Sequence, residues 1–274
     1  MPAALLEYRA MRWIACFCLL LVLTGLPVYA QDTADSELTL RAYMIYDIDA
    51  ETIVAVHNRQ QQQPIASLTK LMTAVLACER LRFDGRYILS AEEREIYGVD
   101  TMRADKMLEM ALIPSNNRVC KIIARYAAGD EDSFAQAMNA KARELGMVNT
   151  RFANASGLPG GEQYSTMDDL LILARVAMLY PSIRRVVHQK QVELGGQTYD
   201  GTLKPLYDRH TGLLGGKTGY TRAAGRCLIL YYNANGRNYI VITLGSDGVQ
   251  DGFRDAEIVL KKNGLYAGEV GTWD

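Results

Sequence analysis

Ser67 and Lys70 are the first residues in this chain whose types and spacing suggest chemistry. They lie in the run Pro64-Ile65-Ala66-Ser67-Leu68-Thr69-Lys70-Leu71-Met72-Thr73-Ala74. Three residues apart on a helix, two side chains leave the axis about 60° apart and share one side. A serine beside a lysine at a helix N-terminus has the parts of a nucleophile beside its base. A free lysine titrates near ~10.4, which makes it a poor base at neutral pH. Burial and a second cation both favour the neutral amine, by up to roughly 3–5 pH units for fully buried groups. Lowering a lysine by three of them takes about 4 kcal/mol from its surroundings. The pair therefore needs a buried helix and a second positive group aimed at it. The same spacing also describes an N-cap serine followed by a surface lysine, so the rest of the chain must decide.

The elements that would position the pair can be read from periodicity and breakers. From Leu68 the apolar residues recur at Leu71, Met72, Val75 and Leu76, which predicts a helix burying one stripe and ending near Leu81. Ala74 and Ala77 line the turn beneath Lys70 and leave room for an approaching group. Leu40–Asp47 and Thr52–His57 are β-rich runs joined by a short polar turn, and they read as a hairpin. Residues 82–103 are polar and poorly periodic, with one strand expected at Arg86–Leu89. Helices are expected over Asp105–Ile113, Arg118–Ala128 and Asp132–Leu145. A further one, capped by Ser165, runs to Leu179 and is stopped by Pro181. Ser115 and Asn117 fall on the tight turn between the first two of these, where plain capping is the ordinary explanation. A hairpin is expected around Gly195-Gly196. After Gly215-Gly216-Lys217-Thr218-Gly219, strands Cys227–Tyr232 and Tyr239–Leu244 form another, and Asp255–Lys262 closes the chain as a helix. Strands at both ends enclosing a helical middle predict an α+β fold, with the terminal strands in one antiparallel sheet and helices packed on it.

Composition narrows the function classes. The chain has 274 residues, 49% of them hydrophobic and 22% charged, with a net charge of −1. Such a chain buries a full core, and nothing in it suggests nucleic acid or a polybasic membrane contact. Arg9 and Arg12 precede an apolar run, Ile14 to Leu26, and Val28-Tyr29-Ala30 closes it with small residues. This reads as a secretory signal peptide over residues 1–30 with Met1 or Met11 as start, leaving a domain over 31–274. Cys78, Cys120 and Cys227 remain after cleavage, an odd number in apolar contexts that fits buried, inert thiols. No Cys/His spacing suits a metal and no cofactor is expected. His57, His188 and His210 are scattered, which argues against a Ser-His-Asp triad.

Taken in order, Ser67-x-x-Lys70, Ser115-x-Asn117 and Lys217-Thr218-Gly219 resemble the motif set of penicillin-recognising serine enzymes. The resemblance extends well beyond the triple. Ala66 to Ala74 is similar to the active-site signature of low-molecular-mass penicillin-binding proteins, the D-alanyl-D-alanine peptidases. So are Leu145-Gly146-Met147-Val148-Asn149-Thr150-Arg151-Phe152 with Gly157-Leu158, and Gly216 to Thr221 with Ala224-Gly225-Arg226-Cys227-Leu228. It covers roughly Arg41 to Gly264. Within the family, Ser115-Asn116-Asn117-Arg118 and Ala137-Met138-Asn139-Ala140-Lys141-Ala142 resemble the murein DD-endopeptidases of the penicillin-binding protein 7 type. The chain departs from its relatives in a shortened Glu95–Arg103 stretch and in Cys120 where alanine is usual.

The resemblance implies a β-lactamase-like sheet with a helical subdomain and assigns roles. Ser67 is the nucleophile and Lys70 its base, Ser115 relays a proton to the leaving amine, and Asn117 orients Lys70 and the substrate. Lys217 supplies the second positive charge, Thr218 bonds a substrate carboxylate, and Gly219 lets substrate run beside the strand. The oxyanion hole would come from the N–H groups of Ser67 and Tyr220. The implied activity is acyl transfer through acyl-Ser67 on peptidoglycan stem peptides, first as an endopeptidase cutting cross-links. A D-alanyl-D-alanine carboxypeptidase is the alternative, with β-lactam antibiotics as covalent inhibitors of either. A β-lactamase would need a second base, for which Glu162 is the available glutamate. A decayed peptidoglycan-binding sensor conflicts with three intact motifs. The implied location is the periplasm, with no stable membrane anchor once the signal is cut.

Overall fold

The structure, a computed structural model, describes residues 37–271, and the leader expected over residues 1–30 lies outside the described residues. The chain opens with the hairpin β1 (Ala42–Asp47) and β2 (Thr52–His57). A 3-10 turn, Ala66–Thr69, then runs directly into α1 (Lys70–Arg80). Next come β3 (Arg86–Ile88), α2 (Ala91–Tyr97), β4 (Thr101–Arg103), α3 (Ala104–Leu112), α4 (Asn117–Ala128) and α5 (Glu131–Glu144). After a long loop follow α6 (Met167–Ala177), α7 (Pro181–Val187), the hairpin β5 (Gln191–Leu194) and β6 (Gln197–Asp200), and the short α8 (Lys204–Tyr207). The chain ends with β7 (Leu213–Thr221), β8 (Gly225–Ala234), β9 (Arg237–Ser246) and α9 (Val249–Lys262).

The terminal strands do form one antiparallel sheet, in the order β2-β1-β9-β8-β7. Its strands are apolar on both faces because both faces are covered. Met44, Ile229 and Ile242 point into the cluster shared with the helical subdomain, whereas Ile45, Leu228, Leu230 and Val241 meet Phe253, Val259 and Leu260 of α9. Burying each such side chain contributes roughly 1.5–3 kcal/mol. The result is an α+β sandwich with β7 on an open edge.

Helix α1 is more deeply placed than one apolar stripe implies. Every residue from Lys70 to Ala77 is buried, so the helix runs through the middle of the subdomain, and Ala74 and Ala77 are packed into its core, leaving no open space. Three further expectations need correction. The polar stretch 82–103 holds α2, whose start is a capping box between Ser90 and Glu93, and pairs β3 with β4. Pro181 opens α7 at its first turn, where a missing N–H costs nothing, and does not merely stop α6. Thr166, and not Ser165, caps α6: the Thr166 hydroxyl accepts from Asp169 N, while Ser165 pairs its backbone with Gln63. Among the described residues no helix is long and apolar enough to cross a membrane.

Candidate active site

Ser67 stands on the 3-10 turn and Lys70 opens α1, so a single helical turn joins the two, and the Lys70 Nζ lies 2.7 Å from the Ser67 Oγ. The turn is unusual in its backbone. Ala66 has φ 46°, in the left-handed region that a residue carrying a Cβ rarely occupies. It is pinned from behind by Gly157, whose φ is +79° and where a Cβ would sit 1.9 Å from the Ala66 carbonyl oxygen. The local sequence explains this seat. Asn154 turns its side-chain oxygen onto the N–H groups of Ser156 (3.1 Å) and Gly157 (2.8 Å), closing an Asx-type turn. The Thr73 hydroxyl donates to the Ala155 carbonyl (2.6 Å) and fastens the turn to α1.

Lys70 is fully buried and makes three contacts: Ser67 Oγ, Asn117 Oδ1 (2.7 Å) and the Ser156 carbonyl oxygen (2.8 Å). Two of these partners can only accept, so a neutral amine spends its two N–H groups on them and turns its lone pair to the Ser67 hydroxyl. Burial holds the Lys70 amine below the ordinary lysine range. Lys217 is also buried; it donates to Ser115 Oγ (2.9 Å) and to the Thr218 carbonyl (2.8 Å). Its amine is lowered well below the usual value, first by burial, then by the charges of Lys70 and Arg226. Of the two expected causes, burial and a second cation, the first is the larger. Burial leads at both amines, and two that repel in one dry site do not both stay ionised cheaply.

Ser115 follows Pro114 with φ 60°, a second strained residue in the site. Its neighbour Asn116 caps α4 by accepting from Val119 N (3.0 Å) and also accepts from the Tyr97 hydroxyl (3.0 Å) on α2. On the sheet side, a Cβ on Gly219 would lie 2.9 Å from Ser67 N and 3.0 Å from the Ile65 carbonyl. Glycine lets β7 pass there, and its passage brings the Gly219 backbone against the Ser67 N–H. Tyr220 is 46% exposed at the rim. The Thr218 hydroxyl, nearly buried, donates to Thr202 Oγ1 at 2.6 Å.

All eight expected residues therefore gather around Ser67 or along the β7 edge beside it. Two contributors were missed: the Ser156 carbonyl and Thr202. The run Asn154-Ala155-Ser156-Gly157 carries a turn signal that could have flagged the first, whereas nothing near Thr202 marks it. Arg118 and Glu162 lie elsewhere. Arg118 pairs with Glu92 (2.6 Å) on an exposed face, and Glu162 meets Arg151 (3.6 Å) at the surface. Among the described residues the three cysteines are free thiols, and burial pushes Cys78 up to about 12 and Cys120 and Cys227 up to about 11, which keeps them protonated and inert. Among the described residues no group of acidic, histidine and cysteine side chains is arranged to hold a metal ion.

Comparison with known proteins places the chain in a family. Residues 29–248 match the D-alanyl-D-alanine carboxypeptidase family. The chain is 30% identical to the D-alanyl-D-alanine endopeptidase of Escherichia coli over 83% of its own length and 78% of the relative's. It is 27% identical to the D-alanyl-D-alanine carboxypeptidase DacB2 of Mycobacterium tuberculosis, over 73% of each chain. Among solved structures, penicillin-binding protein D2 of Listeria monocytogenes in its ampicillin-bound form superposes with a TM-score of 0.75, at 27% identity, over 84% of this chain and 99% of that one. With the family matched over most of its length and a half-buried Ser67 beside the buried Lys70 at the junction of sheet and helices, the chain belongs to the D-alanyl-D-alanine carboxypeptidase family of serine DD-peptidases.

Proposed function

We propose that this chain hydrolyses D-alanyl bonds of peptidoglycan stem peptides through an acyl-Ser67 intermediate, chiefly as an endopeptidase that opens cross-links. The observation that carries the reading is the Lys70 Nζ, buried and 2.7 Å from the Ser67 Oγ, with its two N–H groups directed at Asn117 and Ser156. In the first half-reaction the Ser67 Oγ bonds to the scissile carbonyl carbon and its proton passes to the Lys70 Nζ. The carbonyl oxygen becomes an oxyanion beside the backbone N–H groups of Ser67 and Tyr220. The C–N bond then breaks as the leaving nitrogen takes a proton by way of the Ser115 hydroxyl, which an N–H of the Lys217 Nζ holds in place. Thr218 bonds the carboxylate that follows the scissile bond, and Gly219 admits the substrate backbone. Water attacks the ester in the second half-reaction, with Lys70 again taking a proton and Ser67 recovering its own.

The endopeptidase reading draws on the Escherichia coli relative named for that activity and on the wide covering of the chain by it. Carboxypeptidase activity is the second reading, favoured by the family's own description. Arg118, engaged by Glu92, lends no support to either. A β-lactamase would need a base that frees the acyl-enzyme quickly, and Glu162 is held on the surface by Arg151. β-Lactams are expected to acylate Ser67. Export by residues 1–30, with residues 31–274 as a periplasmic catalytic domain acting in cell-wall remodelling, completes the proposal.

The test is to incubate the protein and its Ser67→Ala variant with purified dimeric muropeptides and with monomeric pentapeptides, and to separate the products. Dimers cut to monomers by the wild type alone are expected. Dominant release of D-alanine from pentapeptide would hand the case to the carboxypeptidase, and turnover by Ser67→Ala would remove Ser67 from the reaction.

A further inference from the structure

Thr202 precedes α8 in a loop that has no catalytic motif, yet it touches both walls of the site. Its backbone N–H donates to the Ile113 carbonyl (3.1 Å), two residues before Ser115, and its hydroxyl receives the Thr218 hydroxyl at 2.6 Å. The loop has no slack. Gly201 N donates to the Lys190 carbonyl (2.7 Å), and a Cβ at Gly201 would lie 2.8 Å from that oxygen and 3.1 Å from the Ile113 side chain. Thr202 is half-buried against a Thr218 that is 2% exposed, so the two oxygens meet at the edge of solvent.

Two hydroxyls in contact have two protons but only one position between them. With Thr218 donating to Thr202, the Thr202 proton is left over and Thr218 offers a lone pair, which repels an anion. An arriving carboxylate can only accept. It reverses the pair without moving a heavy atom: Thr202 donates to Thr218, and Thr218 donates to the carboxylate. A hydrogen bond that is itself fed by a donor is strengthened.

We propose that Thr202 is a positioning residue that lets Thr218 act as donor to the carboxylate beyond the scissile bond, and so sets the preference of this site for acyl donors that end in a free acid. The inference rests on the function proposed above. It predicts a cost confined to substrates bearing that carboxylate, since Thr202 reaches the reacting atoms only through Thr218.

The test uses two thioester acyl donors, an N-acyl-D-alanyl thioglycolate and the same compound with its terminal carboxylate converted to a primary amide. Wild type, Thr202→Val, Thr202→Ala and Thr202→Ser are compared on both, with thermal midpoints recorded alongside. Removing the hydroxyl that feeds the Thr218–carboxylate bond takes away one neutral hydrogen bond and should lower kcat/KM for the acid by roughly fivefold in Thr202→Val, carried mainly in KM. The amide should change by less than about twofold, and Thr202→Ser should restore the acid. Should the valine variant fold poorly, Thr202→Ala is read in its place on the same pair of donors. Equal losses on the two donors would show a merely structural residue, and no loss on the acid would show an idle one; either result overturns the proposal. Wild-type protein that cleaves neither donor removes the serine-peptidase function, and the role of Thr202 falls with it.

Discussion

Replacing Lys70 by methionine separates catalysis from stability in this fold. The linear side chain keeps most of the packing in α1 but removes the amine and its contacts of 2.7, 2.7 and 2.8 Å to Ser67, Asn117 and Ser156. The Asn117 Oδ1 and the Ser156 carbonyl are then left without that donor, at roughly 1–3 kcal/mol for each that water does not reach. Against this, the wild-type chain bears the desolvation of a buried amine, a penalty that the variant escapes. The two effects oppose, so the net loss of stability should be about 1–3 kcal/mol. The loss of a positioned base acts on the barrier without an offset and should cost roughly 10²–10⁴-fold in acylation, or about 3–5.5 kcal/mol. The assay is single-turnover labelling by a fluorescent penicillin, followed with urea unfolding of the same preparation. Acylation by Lys70→Met within tenfold of the wild type would refute the assignment of Lys70 as the base. Lys70→Arg sharpens the test, because guanidinium stays charged and has no lone pair with which to take a proton near neutrality.

Two further expectations concern the scaffold. Gly157→Ala would press a Cβ to 1.9 Å from the Ala66 carbonyl at a φ of +79°. Stability should fall by roughly 2–4 kcal/mol and penicillin labelling should fall with it, because the same backbone seats Ser67; a variant of unchanged melting temperature would show that the turn tolerates displacement. The second expectation concerns pH. Lys70 and Lys217 both titrate below their ordinary range when folded. Between those lowered values and ~10.4 the unfolded chain binds more protons than the folded one, so these amines make stability rise with pH across that interval. Their contribution is greatest above ~10.4 and smallest below the folded values. The urea midpoint of Lys70→Met should climb less steeply with pH there than that of the wild type, and parallel curves would count against a buried, depressed amine.

The parts of the site that were legible in the sequence are those that a short stretch of chain arranges by itself. The Ser67–Lys70 contact spans three residues and follows from helix geometry once a turn forms. The terminal hairpins follow from β-rich runs bounded by turn residues, and the run Thr52–His57 coincides with β2 to the residue. Where local signals were weak, the reading failed. α2 has seven residues in a polar stretch with only Glu93 and Tyr97 buried, so its periodicity was faint, although its capping box was present.

Sequence by itself determined which chemical groups this protein has: a serine one helical turn from a lysine, an amide, a second buried-context lysine, and glycines where backbone must pass. Tertiary structure alone decided that they meet. Lys70 reaches Asn117 across 47 residues and Ser156 across 86, and Lys217 reaches Ser115 across 102. Such contacts form only when the sheet edge, α1 and the Asn154–Gly157 turn pack together, because loop closure must be repaid by burial that no single segment supplies. The same packing dries the site, and only a dry site lowers a lysine far enough to serve as a base. A backbone carbonyl such as that of Ser156 has no residue type to betray it, and a threonine such as Thr202 is one of many. Their part in the site is a matter of position, which the folded core alone assigns.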